Sequence, residues 1–158
     1  MSVKRTPEFE AAVRLMSALM GLTVAMKERF GDEALTVAQG FAERLGTRMG
    51  NRIKGQTGIS GTDIHAVEQL YQAWLGPTYA PYKVDTEVKG NKLIVTRTSP
   101  TICLGLAMTK QLQLPLETVC HTISQPFFKG IAKAINPDAM YSAVQMSEPK
   151  CIETIELP

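Results

Sequence analysis

The sequence predicts an α+β domain in which N-terminal helices are followed by a four-stranded antiparallel sheet with one or two intervening helices. Three observations lead to this expectation. Apolar residues recur at helical spacing up to about residue 75. Two segments in which apolar and polar residues alternate then flank Gly90-Asn91, and two more such segments close the chain over residues 139–157. The 158 residues contain no internal repeat or linker, so residues 1–158 are expected to form a single domain.

Three helices are predicted in the first half. The first covers Pro7 to Phe30, since apolar residues recur every three or four positions until Gly31. Asp32 is expected to cap a second helix that continues toward Ile53, and Asp63 a third that stops at Gly76-Pro77. The apolar side of the second helix is expected to consist of Leu35, Val37, Phe41, Leu45, Met49 and Ile53.

In the second half, the spacing of apolar residues changes from the helical repeat to the alternation that is typical of strands. Residues 82–98 predict two strands joined at Gly90-Asn91, and Pro100 ends the second strand. One helix is expected over about residues 101–111. Another begins at Pro115 and reaches about residue 135, with a kink or break at Pro126. Residues 139–146 and 150–157 predict a closing hairpin.

Composition argues against two classes of protein. The 17 basic residues are nearly matched by 15 acidic ones, which disfavours nucleic-acid binding. Residues 15–26 are uncharged like the core of a secretory signal, but Glu8 and Glu10 precede them and "KERF" follows, so we expect a buried helix and no membrane partner. Three cysteines without a CxxC make a poor disulfide framework and favour a cytoplasmic location.

Cys120 and His121 are the first candidates for chemistry. Near the start of a helix, the helix dipole and a protonated neighbouring histidine would lower the pKa of the thiol, and Glu117 lies one turn before His121. Adjacent helical residues point about 100° apart, however. The pair is therefore either a catalytic thiol and imidazole or a packed thiol beside a surface histidine, and the sequence leaves both open.

The other cysteines have the same two interpretations. Cys103 lies about one turn past the end of the second strand, where it either contributes to a site or packs as a small apolar residue. On the last strand Cys151 shares a face with Glu153, Ile155 and Leu157. Thiolates and an imidazole suit Zn²⁺, but the spacing of Cys120 and Cys151 matches no standard zinc motif.

Apolar side chains could instead form a ligand pocket. Trp74, Phe127 and Phe128, together with several of the eight methionines, would suit an apolar or heterocyclic ligand; the alternative is core packing. Arg44, Arg48 and Arg52 recur every four residues, as either an anion-binding edge or a solvated face. His65 is expected in the core or at its rim.

Residues 91–157 resemble the family of L-2-amino-thiazoline-4-carboxylic acid hydrolase and, more distantly, the 4-vinyl-reductase ligand-binding domains. Arg97-Thr98-Ser99-Pro100 resembles the strand end of the family pattern, Cys120 its helix cysteine, Asn136-Pro137 the break before its final hairpin, and Cys151 its last-strand cysteine. Ser99 and Ser124 stand where the pattern has further cysteines.

The resemblance favours a small-molecule-binding domain with a pocket between helices and sheet. The candidate ligand contacts are Ser99, Cys103, Trp74, Phe127 and Phe128. One alternative is a hydrolase that opens a cyclic C–N bond with Cys120 and His121, with zinc or iron held by Cys120 and Cys151 as the implied cofactor. A second alternative is a structural subunit. In each case a homodimer is expected, because a broad apolar stripe on the first helix suits a dimer interface.

Overall fold

The computed structural model describes residues 6–79, 84–98, 103–147 and 150–158. Helices α1 (Pro7–Phe30), α2 (Glu33–Thr57) and α3 (Ile64–Tyr79) precede strands β1 (Val84–Lys89) and β2 (Lys92–Thr98). Then come α4 (Leu104–Leu112), α5 (Leu116–Val119), a π-helical segment (Cys120–Ser124), α6 (Gln125–Lys133), and strands β3 (Met140–Met146) and β4 (Lys150–Glu156). The predicted fold class is confirmed.

The first helix begins and ends where the sequence predicts. The Phe9 N–H donates to Thr6 Oγ1 at 3.1 Å, which caps the N-terminus, and Gly31 leaves the helix at a φ of 73° that favours glycine. Asp32 precedes α2 as expected but makes no side-chain capping bond. Its carboxylate pairs with Lys27 at 2.9 Å instead. The capping role predicted for Asp32 is therefore wrong.

The buried side of α2 also differs from the prediction. Val37 and Phe41 are exposed, and the side that faces the core is a row of small residues: Ala34, Ala38, Ala42, Gly46 and Gly50, followed by Ile53. This row lets α6 cross α2 at backbone contact distance. A Cβ on Gly46 would collide with the carbonyl of Phe127, and one on Gly130 with the carbonyl of Glu43. Hydrophobicity favours large side chains for the core and gives no signal for a side made of glycine and alanine, so the core positions predicted for Val37 and Phe41 are wrong.

Helix α3 runs past its predicted end. Asp63 caps it as expected, since Asp63 Oδ1 accepts from the Ala66 N–H at 2.9 Å. The helix continues through Gly76 and Pro77 to Tyr79, so the predicted stop is wrong. Pro77 falls in the last turn, where a missing N–H costs one bond, and the Thr6 hydroxyl donates to the terminal carbonyl of Thr78 at 3.1 Å.

The four strands form one antiparallel sheet in the order β1-β2-β4-β3. Both predicted hairpins are present, and Gly90 turns the first at a φ of 59°. The last strand of the chain thus lies centrally, with Arg97 of β2 opposite Cys151 of β4. Leu93, Val95 and Ile155 are fully buried on the face that packs against the helices.

The helix that contains Pro126 is distorted, as predicted, but the distortion lies about one turn before the proline. Residues 120–124 are π-helical, and the Gln125 N–H donates to the carbonyl of Cys120, five residues back. In that pattern the carbonyl of His121 would accept from residue 126, which is a proline without an N–H. The side-chain amide of Gln39 donates to it instead, at 3.3 Å. The proline therefore shifts the helix into a wider turn that begins at Cys120.

Helix α1 combines the length of a membrane-spanning helix with a buried side. Among the described residues it is the helix that is long and apolar enough to cross a bilayer by length and composition. In this structure Phe9, Val13, Met16 and Met20 of α1 are buried against the other helices. Such a helix is weak evidence for a membrane span, because core helices of soluble proteins have the same composition.

Candidate functional site

Three cysteines from three different elements line one small cavity between helices and sheet. Cys103 is the N-cap of α4, Cys120 begins the π-helical segment, and Cys151 lies on β4. The Cys103 and Cys120 sulfurs and the Ser124 hydroxyl all lie within 4 Å of the point that a Cβ on Gly105 would occupy. The absence of a side chain at Gly105 therefore leaves the space around the thiols, which we call the cysteine cavity.

A buried ion pair forms the sheet side of this cavity. Arg97 Nη2 lies 2.7 Å from Glu153 Oε2, and the two side chains are 2% and 6% exposed. The guanidinium also packs over the ring of Phe128 at 4.8 Å and donates to the sulfur of Cys151 at 3.8 Å. Because Arg97 pairs with Cys151 across the strands, Glu153 is its diagonal neighbour on the same face.

The thiols of the cysteine cavity are held in the protonated form. Burial, followed by the neighbouring thiols and Glu153, raises the pKa of Cys120 to about 12. Burial and Glu153 raise the pKa of Cys151 to about 12 as well. Burial also raises the pKa of Cys103, although its sulfur accepts the Leu106 N–H at 3.2 Å. At neutral pH these groups are weak nucleophiles, since the thiolate is the reactive form.

The hydroxyls of the buried Tyr71 and of the partly buried Tyr141 extend this polar centre. The Tyr71 hydroxyl donates to the carbonyl of Phe128 at 2.6 Å. Burial, with Glu153 as the next cause, raises the pKa of both Tyr71 and Tyr141 well above its ordinary value. Both hydroxyls therefore remain protonated, and the Arg97–Glu153 pair is the charged element at the centre of this network.

Cys120 and His121 do not face the same space. Cys120 is buried in the cysteine cavity. His121 is exposed and lines a separate open groove of about 430 Å³ with Gln39, Glu43 and Lys129. The divergence follows from the helical rotation between neighbouring residues. The structure therefore brings Cys120 together with Cys103 and Cys151, but not with His121.

A larger apolar cavity lies among the helices. It measures about 280 Å³ and is lined by the predicted ligand contacts Trp74 and Phe127. Met16 of α1 and Met49 of α2 complete much of its wall, with Glu8 and Thr78 as the polar lining residues. The indole of Trp74 lies 5.5 Å from the Phe127 ring, centroid to centroid. We call this space the helical cavity.

The predicted ligand contacts thus divide between two places. Trp74 and Phe127 line the helical cavity, whereas Cys103 and Phe128 line the cysteine cavity. Ser99 lies outside the described residues. His65 is on the surface beside Glu68, contrary to its expected place in the core or at its rim. Arg44, Arg48 and Arg52 are exposed, as the solvated-face interpretation predicts.

The cysteine cavity is small, and its donors are not gathered as metal ligands. Its volume is about 20 Å³, enough for about one water molecule. Over residues 6–79, 84–98, 103–147 and 150–158, no three His, Cys, Asp or Glu side chains are close enough together to hold a metal ion. The three cysteines therefore share the cavity without forming a ligand set for the zinc or iron predicted at Cys120 and Cys151.

Sequence reasoning did not identify the ion pair. Arg97 belongs to the stretch that resembles the family pattern, and Glu153 shares a strand face with Cys151, but neither feature predicts that the two residues pair. The sequence nevertheless contains a signal for it. Arg97 lies on the same face of its strand as the apolar Leu93 and Val95, and Glu153 lies on the same face as Ile155. A charged residue on the apolar face of each of two strands predicts that the two charges meet if the strands are paired.

Comparisons with known proteins supply no identification. No protein-family model, no curated protein and no solved structure matches this chain.

Proposed function

We propose that this protein is a small-molecule-binding module whose ligand occupies the helical cavity. The observation that carries the proposal is the open apolar space of about 280 Å³ beside Trp74 and Phe127. Its volume approaches the lower end of typical ligand pockets, about 300 Å³. Methionine side chains adapt to irregular shapes, so Met16 and Met49 suit a wall that accommodates a ligand.

The lining indicates the class of ligand. Leucine, methionine and aromatic side chains dominate the cavity, while Glu8 and Thr78 add polar groups. A compact, largely apolar molecule with one or two hydrogen-bonding groups fits this chemistry. The resemblance of residues 91–157 to the amino-thiazoline-carboxylate hydrolase and 4-vinyl-reductase families favours the same class of function, and it remains a resemblance.

The hydrolase alternative receives less support. A thiol with a pKa of about 12 is a poor nucleophile, and the imidazole that would activate it faces another groove. The space around the thiols accommodates about one water molecule rather than a heterocycle. Ligand binding among the helices requires neither an activated thiol nor a metal, so we favour it.

A fluorescent probe tests the proposal directly. Trp74 is the single tryptophan of the chain and lines the cavity, so an anilinonaphthalenesulfonate probe bound there should accept its excitation energy. Ala12 also lines the cavity, and Ala12→Leu should fill part of it and weaken probe binding at least tenfold. Ala18→Leu is the matched control, because Ala18 is exposed on the same helix and does not line the cavity.

The outcomes are distinct. Saturable energy transfer that Ala12→Leu weakens and Ala18→Leu preserves supports the proposal. Equal binding by both variants, or no saturable binding by the native protein, overturns it. Native mass spectrometry of the purified protein gives an independent measurement, since a co-purified small molecule should be present in the Ala18→Leu variant and depleted in Ala12→Leu.

A further inference from the structure

Four sulfur-bearing side chains line the cysteine cavity. They are Cys103 at the start of α4, Cys120 in the π-helical segment, Met146 on β3 and Cys151 on β4. The cavity has a volume of about 20 Å³, so it accommodates a water molecule or a single ion but no organic molecule. Thiolate and thioether sulfurs are the donors that soft metal ions prefer. A wall of this composition therefore favours soft ions over hard ones.

The zinc or iron that the family resemblance implies does not fit this arrangement. Structural zinc takes four ligands, and iron–sulfur clusters are held by four cysteines. In the part of the chain that the structure describes, no three His, Cys, Asp or Glu side chains are close enough together to share an ion. The carboxylate of Glu153 lies in the wall, but it is paired with Arg97 at 2.7 Å. The monovalent copper ion needs fewer ligands, because it commonly binds in line between two thiolates.

Cys103 and Cys120 are the two cysteines whose sulfurs lie beside one common point. Measured from the position that a Cβ on Gly105 would occupy, the Cys120 sulfur is 2.8 Å away and the Cys103 sulfur 3.9 Å. The two sulfurs are therefore no further apart than the sum of these distances. A metal–thiolate bond is about 2.3 Å long, so an ion in line between two thiolates needs sulfurs about 4.6 Å apart, which this limit allows. Because Gly105 has no side chain, the space beside both sulfurs stays open.

We propose that the cysteine cavity is a binding site for one monovalent copper ion, held in line between the sulfurs of Cys103 and Cys120. The ion displaces one proton from each thiol, as metal ions do at cysteines, and no electron is transferred. The filled site therefore carries one negative charge more than the empty one. Arg97 is the basic residue of the cavity wall, so its guanidinium offsets part of that charge.

Cys151 and Met146 surround the ion without binding it directly. The sulfur of Cys151 accepts a hydrogen bond from Arg97 at 3.8 Å, and that of Met146 accepts one from the Gln125 amide at 3.0 Å. Gln125 also lines the open groove beside His121, so its side chain separates the cavity from solvent at that point. Rotation of this one side chain would open a path for the ion from the groove to the thiols.

Competition with a copper-binding dye tests the proposal without any organic ligand of the helical cavity, so its result is independent of the proposed binding function. Copper sulfate is reduced with ascorbate under nitrogen and supplied as its violet bicinchoninate complex. The native protein should remove one copper ion per chain, and native mass spectrometry should show the same single ion. Cys103→Ser and Cys120→Ala should each weaken copper binding by more than about a hundredfold, because the loss of an outer partner of a metal ligand already costs up to that factor.

Cys151→Ala is the matched control, because it removes a thiol of the same cavity that does not bind the ion, and it should bind copper as tightly as the native protein. Circular dichroism checks that each variant is folded. Serine is a favoured capping residue, so Cys103→Ser should keep α4 and decides the outcome if Cys120→Ala does not fold.

Three results would overturn the proposal. The first is a native protein that takes no copper from bicinchoninate. The second is a loss of binding in Cys151→Ala equal to that in Cys103→Ser, which would make the site one of three thiolates. The third is a native protein that binds zinc sulfate as tightly as monovalent copper, since a site with two sulfurs in line should discriminate against an ion that takes four ligands.

Discussion

Substituting Gly46 with alanine is the most direct test of how the helical layer is held together. Gly46 lies on α2 where α6 crosses, and a Cβ there would collide with the Phe127 carbonyl oxygen, lie 2.9 Å from the carbonyl carbon of Phe127 and 3.1 Å from the Ile131 nitrogen. All three neighbours are backbone atoms, so no side-chain rotation relieves the contact. The two helices must move apart to accept the methyl group.

The expected magnitude follows from two opposing effects. Overpacking a core contact destabilises by about 1–3 kcal/mol, and we take the upper value, about 3 kcal/mol, because backbone of α6 must be displaced. Alanine is favoured over glycine in a helix interior by about 1 kcal/mol, which offsets part of this. The Gly46→Ala variant should therefore lose about 2 kcal/mol of unfolding free energy, or about 4–8 °C in Tm.

Urea denaturation followed by circular dichroism measures the change in the free energy of unfolding. Gly21→Ala provides the matched control, because Gly21 lies within α1 and a Cβ there has no neighbour within 4 Å. This variant should gain about 0.5–1 kcal/mol from helix preference alone. If Gly46→Ala is as stable as Gly21→Ala, the close crossing of α2 and α6 is wrong, and so is the stabilisation that we attribute to the small-residue row.

Three further predictions concern charge and capping. Arg97→Met or Glu153→Gln alone should each lower unfolding free energy by about 3–5 kcal/mol in urea titrations, because the remaining partner is buried without its counter-charge. Stability measured against pH should decline from about pH 9 toward pH 12, because the unfolded thiols of Cys120 and Cys151 ionise near 9.0 while the folded ones stay protonated to about 12. Asp63→Ala should cost about 1 kcal/mol, since it removes the cap of α3.

Each of these predictions has a variant that contradicts it if the reasoning fails. Replacing both Arg97 and Glu153 with Met and Leu should be less harmful than either single change, and an additive loss would argue against a coupled pair. Changing Cys120 and Cys151 to alanine should flatten the alkaline decline; an unchanged slope would assign it to other groups. Asp32→Ala should cost less than Asp63→Ala, since Asp32 makes no capping bond.

Much of the fold could be predicted because its signals are local. The first helix ends at Gly31 and the first hairpin turns at Gly90, where positive φ angles suit glycine, and both were located from the sequence. The buried side of α2 could not be found in this way. The residues that α2 buries are small because they contact the backbone of α6. Hydrophobicity makes Phe41 a better candidate for the core than Gly46, yet the structure buries Gly46 and exposes Phe41.

The candidate sites were predictable only in part, since they depend on which distant elements meet. A metal held by Cys120 and Cys151 would require the helix near Cys120 to lie beside the last strand, and the two cysteines do line one cavity. The separation of Cys120 from His121 follows from helical geometry that the sequence already suggested. Adjacent helical residues such as Phe127 and Phe128 also point about 100° apart, but which cavity each of them lines depends on how α6 packs between α2 and the sheet, and the sequence does not show that.

The Arg97–Glu153 pair also explains how the central strands keep their alignment. Burying two charges costs several kcal/mol per ion, so apolar residues of similar volume would often be as stable. The pair differs from apolar residues in its response to misalignment. Shifting β4 by one residue would turn Glu153 toward solvent and leave Arg97 buried without its partner, whereas an apolar pair would lose only packing. The ion pair therefore penalises the wrong register far more than it stabilises the right one, and the same register holds Cys151 beside Arg97 in the cysteine cavity.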